Sequence, residues 1–178
     1  RDFTIESINL PATNQYNRGV AVGGTKDFTF NGGVASRVGQ GWDFTGDQNS
    51  SRFVVIGAQA IDVYSWGFKA ANTVTDGSYI GCRTLRAGLG GFVANAPAEI
   101  VSNPQSEYTQ NIDYLNCTAK DTGFSGNWTG TLASFVCLRN DTTYPLYPQG
   151  IKFINCKSDG GGDVKHGFLN EILTNTDG

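Results

Sequence analysis

Four charged residues, Arg37, Asp62, Arg86 and Asp121, lie 25, 24 and 35 residues apart and alternate in sign. Two carboxylates facing one reacting bond can do acid–base chemistry. Hydrolysis of a glycosidic bond by such a pair needs them about 5 to 9.5 Å apart. If these positions stack at about 4.8 Å per level, Asp62 and Asp121 stand roughly 10 Å apart with Arg86 between them. That is near the long end for an inverting pair. The same column also reads as a surface charge ladder, in which each pair adds little.

A second concentration of chemistry surrounds the only histidine. The stretch Gly160-Gly161-Gly162-Asp163-Val164-Lys165-His166-Gly167 is followed closely by Glu171 and preceded by Asp159. Acid, base and cation are then all within one polar turn, so Asp159, Asp163 and His166 join Asp62 and Asp121 as candidate catalytic groups. The glycine run is not a phosphate loop, because no Lys-Ser/Thr follows it. An ordinary hydrophilic turn is the competing reading. Elimination at a uronate would instead need a base beside a cationic cluster. Arg83, Arg86 and Lys120 are what the chain offers for that.

Aromatic residues supply flat faces on which sugars can stack. Tyr64 and Trp66 follow Asp62 directly, and Glu107, Tyr108 and Trp128 lie in longer polar stretches. With Arg83, Arg86 and Lys165 they make up the candidate substrate-binding set. Packing on the flank of the domain or on a neighbouring subunit is the competing role for the aromatics. Asp43 and Lys69 are expected to form an ion pair between adjacent repeats.

The elements that must position these groups are repeats. Apolar segments begin at Phe3, Phe28, Phe53, Gly77, Ile112 and Ile151, at intervals of 25, 25, 24, 35 and 39 residues. A second segment follows in each repeat, as in Gly41-Trp42, Gly67-Phe68, Gly91-Phe92 and Gly167-Phe168, with Ser134-Phe135 departing from the pattern. The segments alternate in and out with period two, and none shows a helical period. So short a unit cannot bury its own apolar face, and stacking solves that. In-register stacking predicts an inward column of Gly33, Ala58, Cys82, Cys117 and Cys156. The residues before it, Gly32, Gly57, Gly81, Asn116 and Asn155, all tolerate the left-handed backbone of a sharp corner. The column cysteines read as small buried hydrophobes rather than a zinc site.

The predicted fold is all-β: a right-handed, single-stranded parallel β-helix of about six coils. It spans residues 1–178 as one domain, with loop insertions at 94–110 and 123–149. Neither end shows a capping helix, which predicts a fragment of a longer chain. Charge is sparse at 16% with a net charge of −3. This argues against partners among nucleic acids and anionic lipids. No apolar run reaches membrane length, and no metal or cofactor motif is present.

The recurring "apolar-x-apolar-apolar-Asn/Gly-Cys/Ala/Gly" segments and the Gly-Phe/Trp strands resemble the pectate-lyase-like β-helix superfamily. The stretch GIKFINCKSDGGGDVKHGF is most similar to bacteriophage tailspikes and capsule depolymerases. That resemblance implies a homotrimer on the virion tail that binds and cleaves a host surface polysaccharide. A non-catalytic shaft or adhesin is one alternative. A secreted polysaccharide lyase or epimerase is the other.

Overall fold

A computed structural model describes residues 4–6, 17–46, 50–95, 109–123, 133–138, 148–160 and 166–170. Its regular elements are strands β1–β17, numbered along the chain, and all fall into three parallel sheets. Sheet 1 holds β3 (Lys26–Asn31), β6 (Ser51–Ile56), β9 (Thr75–Ile80), β12 (Gln110–Leu115) and β15 (Lys152–Ile154). Sheet 2 holds β1 (Thr4–Glu6), β4 (Val34–Ser36), β7 (Gln59–Val63), β10 (Arg83–Ala87), β13 (Thr118–Thr122) and β16 (Lys157–Asp159). Sheet 3 holds β2 (Arg18–Val22), β5 (Gln40–Gly46), β8 (Trp66–Asn72), β11 (Gly90–Asn95), β14 (Ala133–Leu138) and β17 (His166–Asn170). From β3 onward the chain visits sheets 1, 2 and 3 in turn, an arrangement compatible with a parallel β-helix.

The register follows the sequence columns. Phe28 pairs with Phe53, Phe53 with Gly77, and Gly77 with Ile112. In sheet 3, Val20, Trp42, Phe68, Phe92, Phe135 and Phe168 form one continuous column. One alignment is corrected. Thr4 pairs with Val34, so the segment beginning at Phe3 belongs to sheet 2 and not beside Phe28. Alternation alone cannot say which of three similar sheets a strand joins, because every sheet shares the same period.

Inside, like side chains stack on like. The rings of Phe68, Phe92 and Phe135 follow one another at 4.8 and 5.0 Å, nearly parallel. Tyr79, Tyr114 and Phe153 repeat this at 5.0 Å per step. The spacing is the strand repeat itself, so stacking is imposed by register. Gly77 interrupts one such column because the Phe53 ring occupies the space its side chain would fill. Sheets 2 and 3 meet through small residues. A Cβ on Gly41 would lie 2.7 Å from Ala60 Cβ, and one on Gly91 would lie 2.5 Å from Ala119 Cβ. This close approach explains the glycine that opens each second segment. Ser134 departs from it and hydrogen-bonds instead with Thr122 (3.1 Å) and Ser158 (2.7 Å).

The corner between sheets 1 and 2 is made by the expected column. Gly32, Gly57, Gly81, Asn116 and Asn155 all have positive φ, from 52° to 76°. Inter-strand hydrogen bonding continues through it, from Gly57 N to Ile80 O and from Asn116 N to Ile154 O, at 2.8 and 2.9 Å. Behind it the thiols of Cys82, Cys117 and Cys156 donate to the carbonyls of Val55, Tyr79 and Tyr114, 3.2 to 3.4 Å away. Each is a free cysteine.

Candidate functional site: paired charge ladders

The column Arg37, Asp62, Arg86, Asp121 is real and has an unexpected backbone. All four residues have φ between 50° and 56°. Arg37 directly follows β4, and the other three sit where the strand pairing skips a residue: Leu85 pairs with Ile61 and Lys120, and Ala87 with Val63 and Thr122, leaving Asp62, Arg86 and Asp121 out of the ladder. The register is the same on both sides of the skipped pair, so these are left-handed kinks stacked in register and not bulges. Such a conformation costs an ordinary residue on the order of 1–2 kcal/mol, less for Asp and Asn.

Arg86 partly offsets that cost. Its guanidinium makes two bonds to the Asp62 carboxylate, from Nε to Oδ1 and from Nη2 to Oδ2, the second at 2.8 Å. Hydrogen bonding from Arg86 holds the Asp62 carboxyl below the usual carboxylate range. Asp62 is therefore an ionised partner in a salt bridge, ill-suited to giving up a proton as a general acid. Asp121 lies two strands along the same sheet.

A second ladder, which the sequence reading passed over, opens sheet 1. Asp27, Arg52, Asp76 and Asn111 have φ between 53° and 57° and are likewise skipped in pairing. Arg52 grips Asp27 through two bonds of 2.6 Å, and Asn111 donates to Asp76 at 2.9 Å. The signal was available, since each residue directly precedes an aligned segment start.

The other candidates are dispersed. Asp159 lies on the outer side of sheet 2 and pairs with Lys157 at 3.5 Å. Arg83 is exposed on the same side, level with Gln59 and Thr118. Tyr64 is half-buried. Trp66 is only 8% exposed and packs with Leu89, Val93, Ala133 and Val136, so it offers no open stacking face. His166 opens β17, and its backbone is level with Ala133. Asp163, Lys165, Glu107, Tyr108 and Trp128 lie outside the described residues.

The expected Asp43–Lys69 pair is present at 3.9 Å, and Arg18 also bonds Asp43. Asp43 is fully buried, and burial lowers the Lys69 pKa against the opposing pull of Asp43. Among the described residues no group of three or more His, Cys, Asp or Glu side chains could hold a metal. Nor is any helix there long and apolar enough to cross a membrane. Comparison with protein-family models, with curated proteins and with solved structures returns no match to this chain.

Proposed function

We propose that the chain is part of a right-handed β-helix of about six coils that binds a long bacterial surface polysaccharide, as a homotrimeric phage tailspike on the virion tail. One observation carries the binding part. Three of the four longest connections between described strands run between β11 and β12, between β13 and β14, and between β14 and β15. All three therefore start or end on sheet 3, in two successive turns of the chain. Ala94 and Asn95 complete β11 and Gln110 opens β12, while β14 divides the 123–149 stretch. Extra residues gathered on one side of a repeat stack are where such proteins bind ligands. These segments bring Glu107, Tyr108 and Trp128, whose side-chain types suit sugar stacking and hydroxyl recognition.

A carboxylate pair on the ladder is the weaker route to cleavage, because Asp62 is engaged by Arg86. Cleavage is better sought at Asp163 and His166. The non-catalytic shaft reading is favoured by the same salt bridge. The test is a panel of capsular and lipopolysaccharide glycans, following binding, reducing ends and absorbance near 232 nm. Binding that Trp128→Ala and Tyr108→Ala abolish, and that Asp62→Asn leaves intact, supports the proposal. Absence of binding to every glycan refutes it in favour of a shaft. Unsaturated products would identify a lyase.

A further inference from the structure

The two charge ladders bracket one surface. Along each turn of the chain the order is the sheet 1 ladder, the outer side of sheet 1, the left-handed corner, the outer side of sheet 2, and the sheet 2 ladder. At three of their four levels the two ladders carry opposite charge: Asp27 with Arg37, Arg52 with Asp62, Asp76 with Arg86, while neutral Asn111 is level with Asp121. Farther along, Asp113 of sheet 1 is level with Lys120 of sheet 2, and Lys152 with Asp159. Lys26, Asp121 and Lys157 add a charge of the other kind at three levels. The match is therefore strongest at Arg52/Asp62 and Asp76/Arg86.

Between the ladders, apolar columns run on either side of a polar one made by Gln59, Arg83 and Thr118. Ile56, Ile80, Leu115 and Ile154 form an outward column on sheet 1, with Ile56 38% and Ile154 44% exposed. Ile61 and Leu85 continue it across the corner on sheet 2. An apolar stripe with charge on both sides has the composition of an interface core and rim.

We propose that this surface docks a second copy of the chain, parallel and level, with the sheet 1 flank of one copy on the sheet 2 flank of the next. Only a partner repeating at the same strand spacing, with the same alternation and the opposite starting sign, matches these ladders level by level. The chain itself is such a partner. An interface joining two different flanks of identical copies is heterologous, and it closes into a ring under cyclic symmetry. The apolar corner columns then gather toward the axis and the ladders pair outside them. This deepens the homotrimer part of the reading above and does not depend on the polysaccharide.

The test exploits the internal alternation. Inverting one whole ladder (Asp27→Arg, Arg52→Asp, Asp76→Arg) keeps opposite charges stacked within the chain but opposes like charges between copies. Inverting the other (Arg37→Asp, Asp62→Arg, Arg86→Asp, Asp121→Arg) does the same. Both residue types already occupy the left-handed positions, and circular dichroism checks folding. Light scattering and native mass measurement should show assembled wild-type protein. Each single inversion should weaken assembly by on the order of a hundredfold, and the two together should restore it. Zero-length carbodiimide coupling in a mixture of isotopically light and heavy copies should join Asp113 to Lys120 and Lys152 to Asp159 between chains. Monomeric wild type, assembly indifferent to either inversion, folded double variants that stay apart, or couplings only between different levels would each overturn the proposal. Glycan binding measured on the same variants separates failure here from failure of the polysaccharide reading.

Discussion

Replacing Gly91 by alanine tests the contact that ties sheet 3 to sheet 2. The new methyl would lie 2.5 Å from Ala119 Cβ and 2.7 Å from the Ser134 carbonyl oxygen. Neither neighbour is a flexible side-chain tip. Ala119 is fixed in β13, and the carbonyl belongs to the next strand of the same sheet. Relief must come from moving one sheet, so the cost falls toward the upper end of overpacking, about 2–3 kcal/mol. For a chain of this length that lowers Tm by roughly 4–12 °C. Urea titration should show a lower midpoint with an unchanged slope, as for a loss of stability without a change in exposed surface. Gly81→Asn is the control. It changes a glycine at φ 62° with nothing within 4 Å, in a column where Asn116 and Asn155 already adopt that conformation. It should cost less than about 0.5 kcal/mol. A Gly91→Ala protein with wild-type midpoint, or a Gly81→Asn protein destabilised as much, would refute the close-approach argument.

The remaining predictions use the interior and the surface pairs. The Tyr79 hydroxyl is buried without a hydrogen-bond partner, whereas that of Tyr114 donates to Val93 O at 3.2 Å. Tyr79→Phe should therefore be neutral or stabilise by up to about 1 kcal/mol, and Tyr114→Phe should cost about 0.5–1.5 kcal/mol, both read by denaturant midpoints. The Asp62 carboxyl is depressed in the fold, so its contribution is complete above the ordinary carboxylate range. It is lost as pH falls through the depressed value. Asp62→Asn should therefore flatten the stability profile only below about pH 4. The effect stays under about 1 kcal/mol because both partners are substantially exposed. Cys82, Cys117 and Cys137 are buried, whereas Cys156 is partly exposed. Alkylation at neutral pH should therefore reach Cys156 first and the other three only on unfolding. Equal labelling of all four in the native protein would contradict the packing.

Column logic was legible because its signals are chemically narrow. Few residues other than Gly and Asn tolerate a left-handed corner, and few shapes other than a flat ring stack at the strand repeat, so Gly81, Asn116 and Phe92 announced their places. Phe3 was misassigned because its cue was alternation, which all three sheets share. Of the two roles open to Trp66, packing is the one the fold selects, and the sequence could not choose it because the burial depends on Val93 and Val136, which lie far away in sequence and on later strands of sheet 3. The ladder column was legible as a column. Its left-handed backbone was not, since Arg at positive φ has no sequence cue. The bidentate Arg86–Asp62 pair, which redirects the search for chemistry, needed coordinates.

Parallel register also decides how the molecule bears tension. Inter-strand hydrogen bonds point along the direction in which strands succeed one another, so a pull in that direction loads them head-on. From β3 onward the three sheets share the load at each junction, while successive junctions carry it in series. Such a rod yields at its weakest junction rather than stretching evenly. Among those described, the thinnest joins β1 and β2 to β4 and β5, where sheet 1 contributes no pair and the link is Thr4–Val34, Ile5–Ala35 and Glu6–Ser36 in sheet 2 with Arg18–Gln40 through Val22–Phe44 in sheet 3. Force along the stack should part the chain there first, leaving the aromatic stacks from Trp42 onward intact.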